Sequence, residues 1–277
     1  MIYLVVALKK EAEPFIRHYH LKKDMSISAF SVYQNERMTL LISGVGKIKS
    51  AMAATFLLTQ SSKKDILLVN VGICGSFEKK YPTGQLFFLH KITDHDTRRD
   101  YYPEVFSFLP IEGKEIRTFS VPVSKKKLPN IPLDLVDMEA AGIMEAAEHF
   151  LFSHQVLLLK IVSDFLEGER LSASLPEALI EAQLSTIDRV LSLVMDSFPK
   201  EYPDLEGLLL SCRQCGAGFR FSDTMLRQLE NDIRLAYARG KDVSSIFSLY
   251  PVPEKLTKEE GKRIFESIRS ELKKETV

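Results

Sequence analysis

Apolar positions along this chain form short unbroken runs that alternate with longer helical stripes. Residues 2–8, IYLVVAL, are a continuous apolar, β-rich run, which fits a strand buried on both faces of a helix-covered sheet. Residues 65–72, 85–92 and 156–162 follow the same pattern, and the first of these ends on glycine. Two further runs, 27–33 and 38–43, flank Gln34-Asn35-Glu36-Arg37 and predict a hairpin. Between the strands the spacing predicts helices over 11–20, 47–60, 139–152 and 178–197, the last amphipathic. Residues 94–115 read as irregular, polar and aromatic, and 117–123 as a strand. Buried strands alternating with helices predict an α/β fold, a three-layer sandwich around a mixed central sheet.

Pro199 and Tyr202-Pro203 mark a change of pattern. Beyond them only helices are expected. One spans 221–239, with Leu226, Leu229, Ile233 and Ala236 at helical spacing. Another spans 257–274, with Ile264, Ile268 and Leu272 on one face and Thr257 and Glu260 placed as a capping box. The expected organisation is an α/β domain over 1–198 and a small helical C-terminal appendage over 201–277.

Charge and cysteine content remove several classes of function. Lys plus Arg and Asp plus Glu both number 37, so the electrostatic footprint of a nucleic-acid binder is missing. No apolar run is long enough to span a membrane. Residues 2–8 lack a basic leader and run into Lys9-Lys10-Glu11, unlike a signal peptide. Three cysteines are too few for a disulfide framework, which favours a reduced, cytoplasmic protein. Cys212-Arg213-Gln214-Cys215 is a CxxC without a second ligand pair, so two ordinary thiols in a turn are expected rather than a zinc site. Gly44 and Gly46 lack the third glycine of a dinucleotide fingerprint. No metal or organic cofactor is expected.

Ligands of open α/β sheets sit beyond the C-terminal ends of the strands. Here those ends collect polar and acidic residues: Leu8 to Glu13, Ser43 to Lys47, Gly72 to Ser76, Asp137-Met138-Glu139 and Ser163-Asp164. Each acid has a plain alternative use, since a carboxylate at a strand end caps the next helix or suits its dipole.

Five of these segments, in order over residues 1–198, resemble those of the nucleoside phosphorylase superfamily, and most closely its methylthioadenosine/S-adenosylhomocysteine nucleosidases. Ala7-Leu8-Lys9-Lys10-Glu11 resembles the opening A-M-x-x-E, and Ser43-Gly44-Val45-Gly46-Lys47 the S-G-[IV]-G-K segment. Val69-Asn70-Val71-Gly72-Ile73-Cys74-Gly75 resembles the glycine-rich sheet turn. Val136-Asp137-Met138-Glu139-Ala140 resembles V-x-M-E-[AS], and Val162-Ser163-Asp164 resembles [IV]-S-D. The resemblance implies the phosphorylase/hydrolase-like fold. It also implies hydrolysis of an adenosine-type nucleoside (5′-methylthioadenosine, S-adenosylhomocysteine or 5′-deoxyadenosine) with water, and a homo-oligomer.

It further assigns roles. Asp164 would be the acid at purine N7, Glu11 the base for water and Glu139 the ligand of the ribose hydroxyls. Met138 would pack on the ribose, with Ser163, Cys74 and Gly75 completing the binding site. The chemistry is consistent with this: departure of a purine through an oxocarbenium-like cation needs an acid on the base and a carboxylate on the opposite face of the sugar. Asp164 would need an apolar base pocket to keep its proton. The chain departs from the family at Ile73, where a small polar residue or threonine is usual, and it is shorter between His95 and Met138. Residues 97–103 and Phe119 are therefore expected to help hold the base. The alternatives are phosphorolysis on the same fold, with Lys47, Arg98 or Arg99 holding phosphate, and a nucleoside-binding scaffold with weakened catalysis.

Overall fold

The computed structural model describes residues 1–60, 65–77, 79–127, 134–168, 172–198, 205–238, 241–251 and 256–274. The chain divides into two compact units, 1–198 and 199–277.

In the first unit the strands are β1 (Ile2–Val6), β2 (Lys22–Lys23), β3 (Ser31–Gln34), β4 (Met38–Ile42), β5 (Leu67–Ser76), β6 (Leu86–Asp94), β7 (Asp100–Tyr101), β8 (Glu112–Thr118), β9 (Leu135–Asp137) and β10 (Val156–Asp164). The helices are α1 (Lys9–His18), α2 (Lys47–Gln60), α3 (Ala140–Phe150) and α4 (Leu175–Asp196). The strands form one mixed sheet in the order β10-β6-β8-β9-β5-β1-β4-β3-β2. β10 also pairs with β5, so the pairings β5–β10–β6–β8–β9 close into a ring. β1 lies between β4 and β5, parallel to both, and β10 is parallel to β5. Helices α2 and α3 cover one face over a core that includes Leu68, Leu158 and Ile143. Helices α1 and α4 cover the other, over Val69, Leu159 and Ile187. Alternate residues of β5 and β10 thus enter opposite cores, which is why both strands read as near-continuous apolar runs, each with one polar interruption, Asn70 and Lys160.

Two helices meet unusually closely. A Cβ on Gly142 of α3 would lie 2.1 Å from the carbonyl oxygen of Lys47 at the head of α2. The absence of a side chain there lets the first turns of α2 and α3 touch, and Ser50 Oγ donates to the Glu139 carbonyl across the junction at 3.0 Å. This contact places the residues preceding both helices side by side.

Three expectations need correction. The strand expected over 117–123 lies earlier, at Glu112–Thr118. Its sequence EGKEIRT carries no apolar signal; the strand forms because β6 and β9 flank it in parallel. The segment 94–115 is accordingly less irregular than its composition suggests. In the second unit, Cys212 and Cys215 lie within a helix, α5 (Leu205–Gly218), not in a turn. Helices α6 (Asp223–Ala238), α7 (Val243–Ser248) and α8 (Lys258–Lys273) complete that unit. Cys212 is buried in its core with Leu229, Ile233 and Ile268. Thr257 and Glu260 form the expected capping box of α8. Among the described residues no helix is long and apolar enough to cross a membrane.

Candidate active site

A cavity of about 470 Å³ opens at the C-terminal ends of β1, β5, β9 and β10. Glu11, Cys74, Gly75, Met138, Glu139, Ser163 and Asp164 all line it. Four separate chain segments therefore converge, as expected for ligands of an α/β sheet.

Glu11 is buried one turn into α1. Its Oε2 accepts from the amides of Ala7 (3.0 Å) and Leu8 (2.8 Å), and its Oε1 from that of Ile73 (3.1 Å). It thus caps its own helix while facing the cavity, so the plain use of this residue and a chemical one coexist. Burial pushes its carboxyl above the usual glutamate range, against the pull of the Leu8 amide and of Lys160. Glu13, two residues on, pairs instead with Lys10 at 2.9 Å on the outside of the helix.

Glu139 immediately precedes α3. Its Oε1 accepts from the amide of Gly46 at 3.1 Å. Gly46 has φ +114°, a backbone conformation that side-chain-bearing residues rarely adopt, and this turn presents its amide to the carboxylate. Burial pushes Glu139 up to about 7; Lys160 opposes the rise and Asp137 adds to it.

Asp164 ends β10 after a register slip. Val162 pairs with Cys74 and Asp164 with Gly75, so Ser163 is an extra residue in the ladder. Such a bulge re-aims the following side chain. Ser163 Oγ donates to Asp164 Oδ2 at 2.7 Å, and the Leu166 amide donates to Oδ1 at 2.9 Å. Leu166, at φ 59°, packs over Gly75, where a Cβ would sit 2.3 Å from its Cδ2. Beyond Asp164 the wall is apolar, with Val121, Pro122, Val123 and Leu166.

Two residues important to the site's electrostatics have no role by sequence alone: Asp137 stands only among the acids at strand ends, and Lys160 is not singled out. Lys160 interrupts the apolar strand β10, is fully buried, and brings its Nζ to 3.6 Å from where a Cβ on Gly72 would stand. Its Nζ lies 2.9 Å from Asp137 Oδ2 and 3.9 Å from Glu139 Oε2. The first contact is an ion pair outside hydrogen-bond alignment, since Nζ has no aligned partner. Its carboxylate neighbours hold the ammonium firmly charged in spite of burial. Asp137 joins the parts: its Oδ1 accepts from Thr118 Oγ1 (2.7 Å), and its Oδ2 from the amides of Glu139 (3.2 Å) and Ala140 (2.8 Å). The available signal was the lone lysine in LLLKIV, because a charged residue inside a buried strand requires a buried partner.

Other expected residues lie elsewhere. Lys47 Nζ is taken up by Asp94 Oδ1 (2.8 Å) and Asp96 Oδ2 (2.6 Å). Arg99 pairs with Glu145 and Glu148 of α3, each at 2.6 Å. Arg98 sits in a turn at φ 63° and, like Lys47 and Arg99, does not line the cavity. Phe119 is buried behind the wall, stacked on His95 with centroids 4.2 Å apart. Residues 121–124, rather than 97–103 or Phe119, form the wall there.

The family model of the phosphorylase superfamily matches residues 2–115. No curated protein sequence matches the chain. Among solved structures, a 5′-methylthioadenosine/S-adenosylhomocysteine nucleosidase from Helicobacter pylori, with butyl-thio-DADMe-Immucillin-A, is 14% identical with a TM-score of 0.58, covering 69% of this chain and 97% of its own. The 5′-methylthioadenosine nucleosidase of Arabidopsis thaliana is 19% identical with a TM-score of 0.59, covering 70% and 95%. Futalosine hydrolase of Helicobacter pylori is 15% identical with a TM-score of 0.57, covering 71% and 97%. At these identities the likeness establishes the fold, that of the nucleosidases.

Proposed function

We propose that the protein hydrolyses the N-glycosidic bond of an adenosine-type nucleoside such as 5′-methylthioadenosine, S-adenosylhomocysteine or 5′-deoxyadenosine, releasing the purine. The observation that carries this reading is the convergence of Glu11, Glu139 and Asp164 on one cavity from three strand ends. The nucleosidases and the hydrolase that share the fold support it. In this reading the purine lies against Val121, Val123 and Leu166, and Asp164 gives its proton to N7 as the bond lengthens. Ser163 orients the acid. Glu139 accepts hydrogen bonds from the ribose hydroxyls, and Met138 packs on the sugar. Cys74 and Gly75 form the strand edge along which the ligand lies. Glu11 takes a proton from the water that attacks the anomeric carbon; burial raises its basicity toward what a base at neutral pH requires.

Hydrolysis is favoured over phosphorolysis by the charge of the site. No lysine or arginine lines the cavity among the described residues, and its titratable lining includes Glu11, Asp137, Glu139 and Asp164. A phosphate dianion needs cationic donors beside the ribose, and Lys47 is already saturated by two aspartates. A panel of nucleosides incubated with and without inorganic phosphate tests the reading. Free base and free ribose sugar are expected at the same rate in both. A sugar 1-phosphate product, or no release from any nucleoside, removes it.

We also propose a homo-oligomer formed through α2. Ile48 and Met52, four residues apart on this helix, are exposed, as are Val45 and Val121 at the cavity rim. An apolar strip of this kind favours a protein contact. Sedimentation is expected to give at least a dimer, with Met52→Lys shifting it toward monomer; a parent protein that sediments as a monomer at micromolar concentration refutes this.

A further inference from the structure

Every buried polar atom has a desolvation cost unless it finds a partner. Among the described residues, four buried side-chain atoms lack an aligned one: Asn70 Oδ1, His95 Nδ1, Arg117 Nε and Lys160 Nζ. Asn70 and Lys160 belong together. They lie on adjacent parallel strands, β5 and β10, where Asn70 is level with Leu158 and Lys160 with Gly72, one step diagonally apart. Both side chains project from the face covered by α2 and α3, because Leu158 and Leu68 pack there at alternate positions. Asn70 Nδ2 donates to the Val5 carbonyl of β1 at 3.0 Å. That bond turns the amide nitrogen toward β1 and leaves Oδ1 without a partner. These are also the polar interruptions of two otherwise apolar strand interiors, LLVNV and LLLKIV.

We infer that Asn70 is a positioning residue for the Lys160 ammonium: its Oδ1 accepts the Nζ proton that Asp137 and Glu139 leave over, reached by a small rotation of the lysine end. The inference rests on the reading of Glu11 as the base. The titratable groups facing Lys160 are Glu11 from α1, Asp137 from β9, Glu139 at the head of α3 and the Cys74 thiol of β5, with Asp164 next to Cys74. The nearest, Asp137, pulls the ammonium to itself. Asn70 pulls along the sheet from a different direction and keeps the charge beneath Gly72, where Glu11 Oε1 also lies. Without it nothing draws the ammonium from Asp137, which it already meets at 2.9 Å, toward Glu11, and Glu11, buried, holds its proton to higher pH and loses its function as a base.

Asn70→Val and Asn70→Thr test this, because the two replacements match in shape and only threonine keeps an oxygen; Asn70→Ala stands in for valine if that variant does not fold. In Asn70→Val the acidic limb of the rate profile should move up by roughly one pH unit, a loss of about tenfold in kcat at pH 6 that shrinks by pH 8, with KM little changed. Asn70→Thr should follow the parent within about threefold. A substrate-free measurement separates this inference from the proposed function. Carbon-13 NMR titration of labelled glutamates, with Glu11→Gln to assign the signal, should show the Glu11 midpoint raised in Asn70→Val. A midpoint equal to the parent's, or Asn70→Thr behaving like Asn70→Val, overturns the inference. A raised midpoint in a protein that cleaves no nucleoside leaves Asn70 as the positioning residue and removes the hydrolase reading instead.

Discussion

Asp164→Asn should lose between ~10² and ~10⁴-fold in turnover of purine nucleosides, the usual contribution of a positioned acid. The substitution is mild in its surroundings. An asparagine oxygen can still accept from the Leu166 amide, and its amide group can donate to Ser163 Oγ, which at present donates to the carboxylate. The bulge at Ser163 and the packing of Leu166 over Gly75 should therefore survive, and nucleoside binding with them. What is lost is a proton that can be transferred. The rate with a p-nitrophenyl riboside, whose leaving group departs without protonation, should fall much less. Steady-state rates with the two substrates decide the matter. Equal losses for both, with a lowered Tm, would mark Asp164 as a cap whose removal disorders the pocket rather than as an acid.

The second large effect is expected at Lys160. Lys160→Met keeps length and apolar packing but leaves Asp137, Glu139 and Glu11 without their buried cation. Removing one partner of a buried ion pair typically costs about 3–5 kcal/mol, which for a unit of this size is roughly 6–20 °C in Tm. The pH dependence follows from the direction of the shifts. Glu139 binds its proton more tightly in the folded protein, with a pKa of about 7, than in the unfolded chain. Its ionisation therefore removes stability as pH rises from the ordinary glutamate range through about 7. Without Lys160 that penalty grows, because the ammonium is what opposes the rise, and Glu11 behaves in the same sense. The Tm deficit of Lys160→Met should thus be larger at pH 8 than at pH 5, where Glu139 is neutral. Thermal melts at the two pH values test it. A deficit that is the same at both, or below about 1 kcal/mol at pH 8, would show that the ammonium is not compensating these carboxylates.

Lys160 also illustrates why part of the site was not legible beforehand. Glu11, Glu139 and Asp164 stand at strand ends next to glycines or small residues, and their local motifs carry them. Lys160 and Asn70 stand inside strands. Their function depends on which strands are neighbours, and β5 and β10 are separated by about half of the first unit in sequence. The basic residues show the converse. Lys47, Arg98 and Arg99 follow glycine-rich or polar turns and read as anion contacts, yet the fold brings Asp94, Asp96, Glu145 and Glu148 to Lys47 and Arg99 and places all three basic residues outside the cavity lining.

By itself the sequence determined the elements whose stability is mostly local or strongly patterned. The buried strands β1, β5, β6 and β10 follow from predominantly apolar runs, α2 from its Ala- and Leu-rich stretch, and the start of α8 from a capping box, because each depends on neighbours a few residues away. It also determined that carboxylates would gather at strand ends. Only the tertiary structure decided the rest. Strand β8 exists because two partners hydrogen-bond it on either side despite its polar sequence. Helix α5, with Gly207, Gly216 and Gly218, is a weak helix by propensity, and Cys212 and Leu209 are buried in the helical core. The closing of the sheet, the contact of α2 with α3 at Gly142, and the burial of one ammonium among three carboxylates all join residues far apart in the chain. Their energies come from pairing and desolvation in three dimensions, and no window of sequence contains both partners.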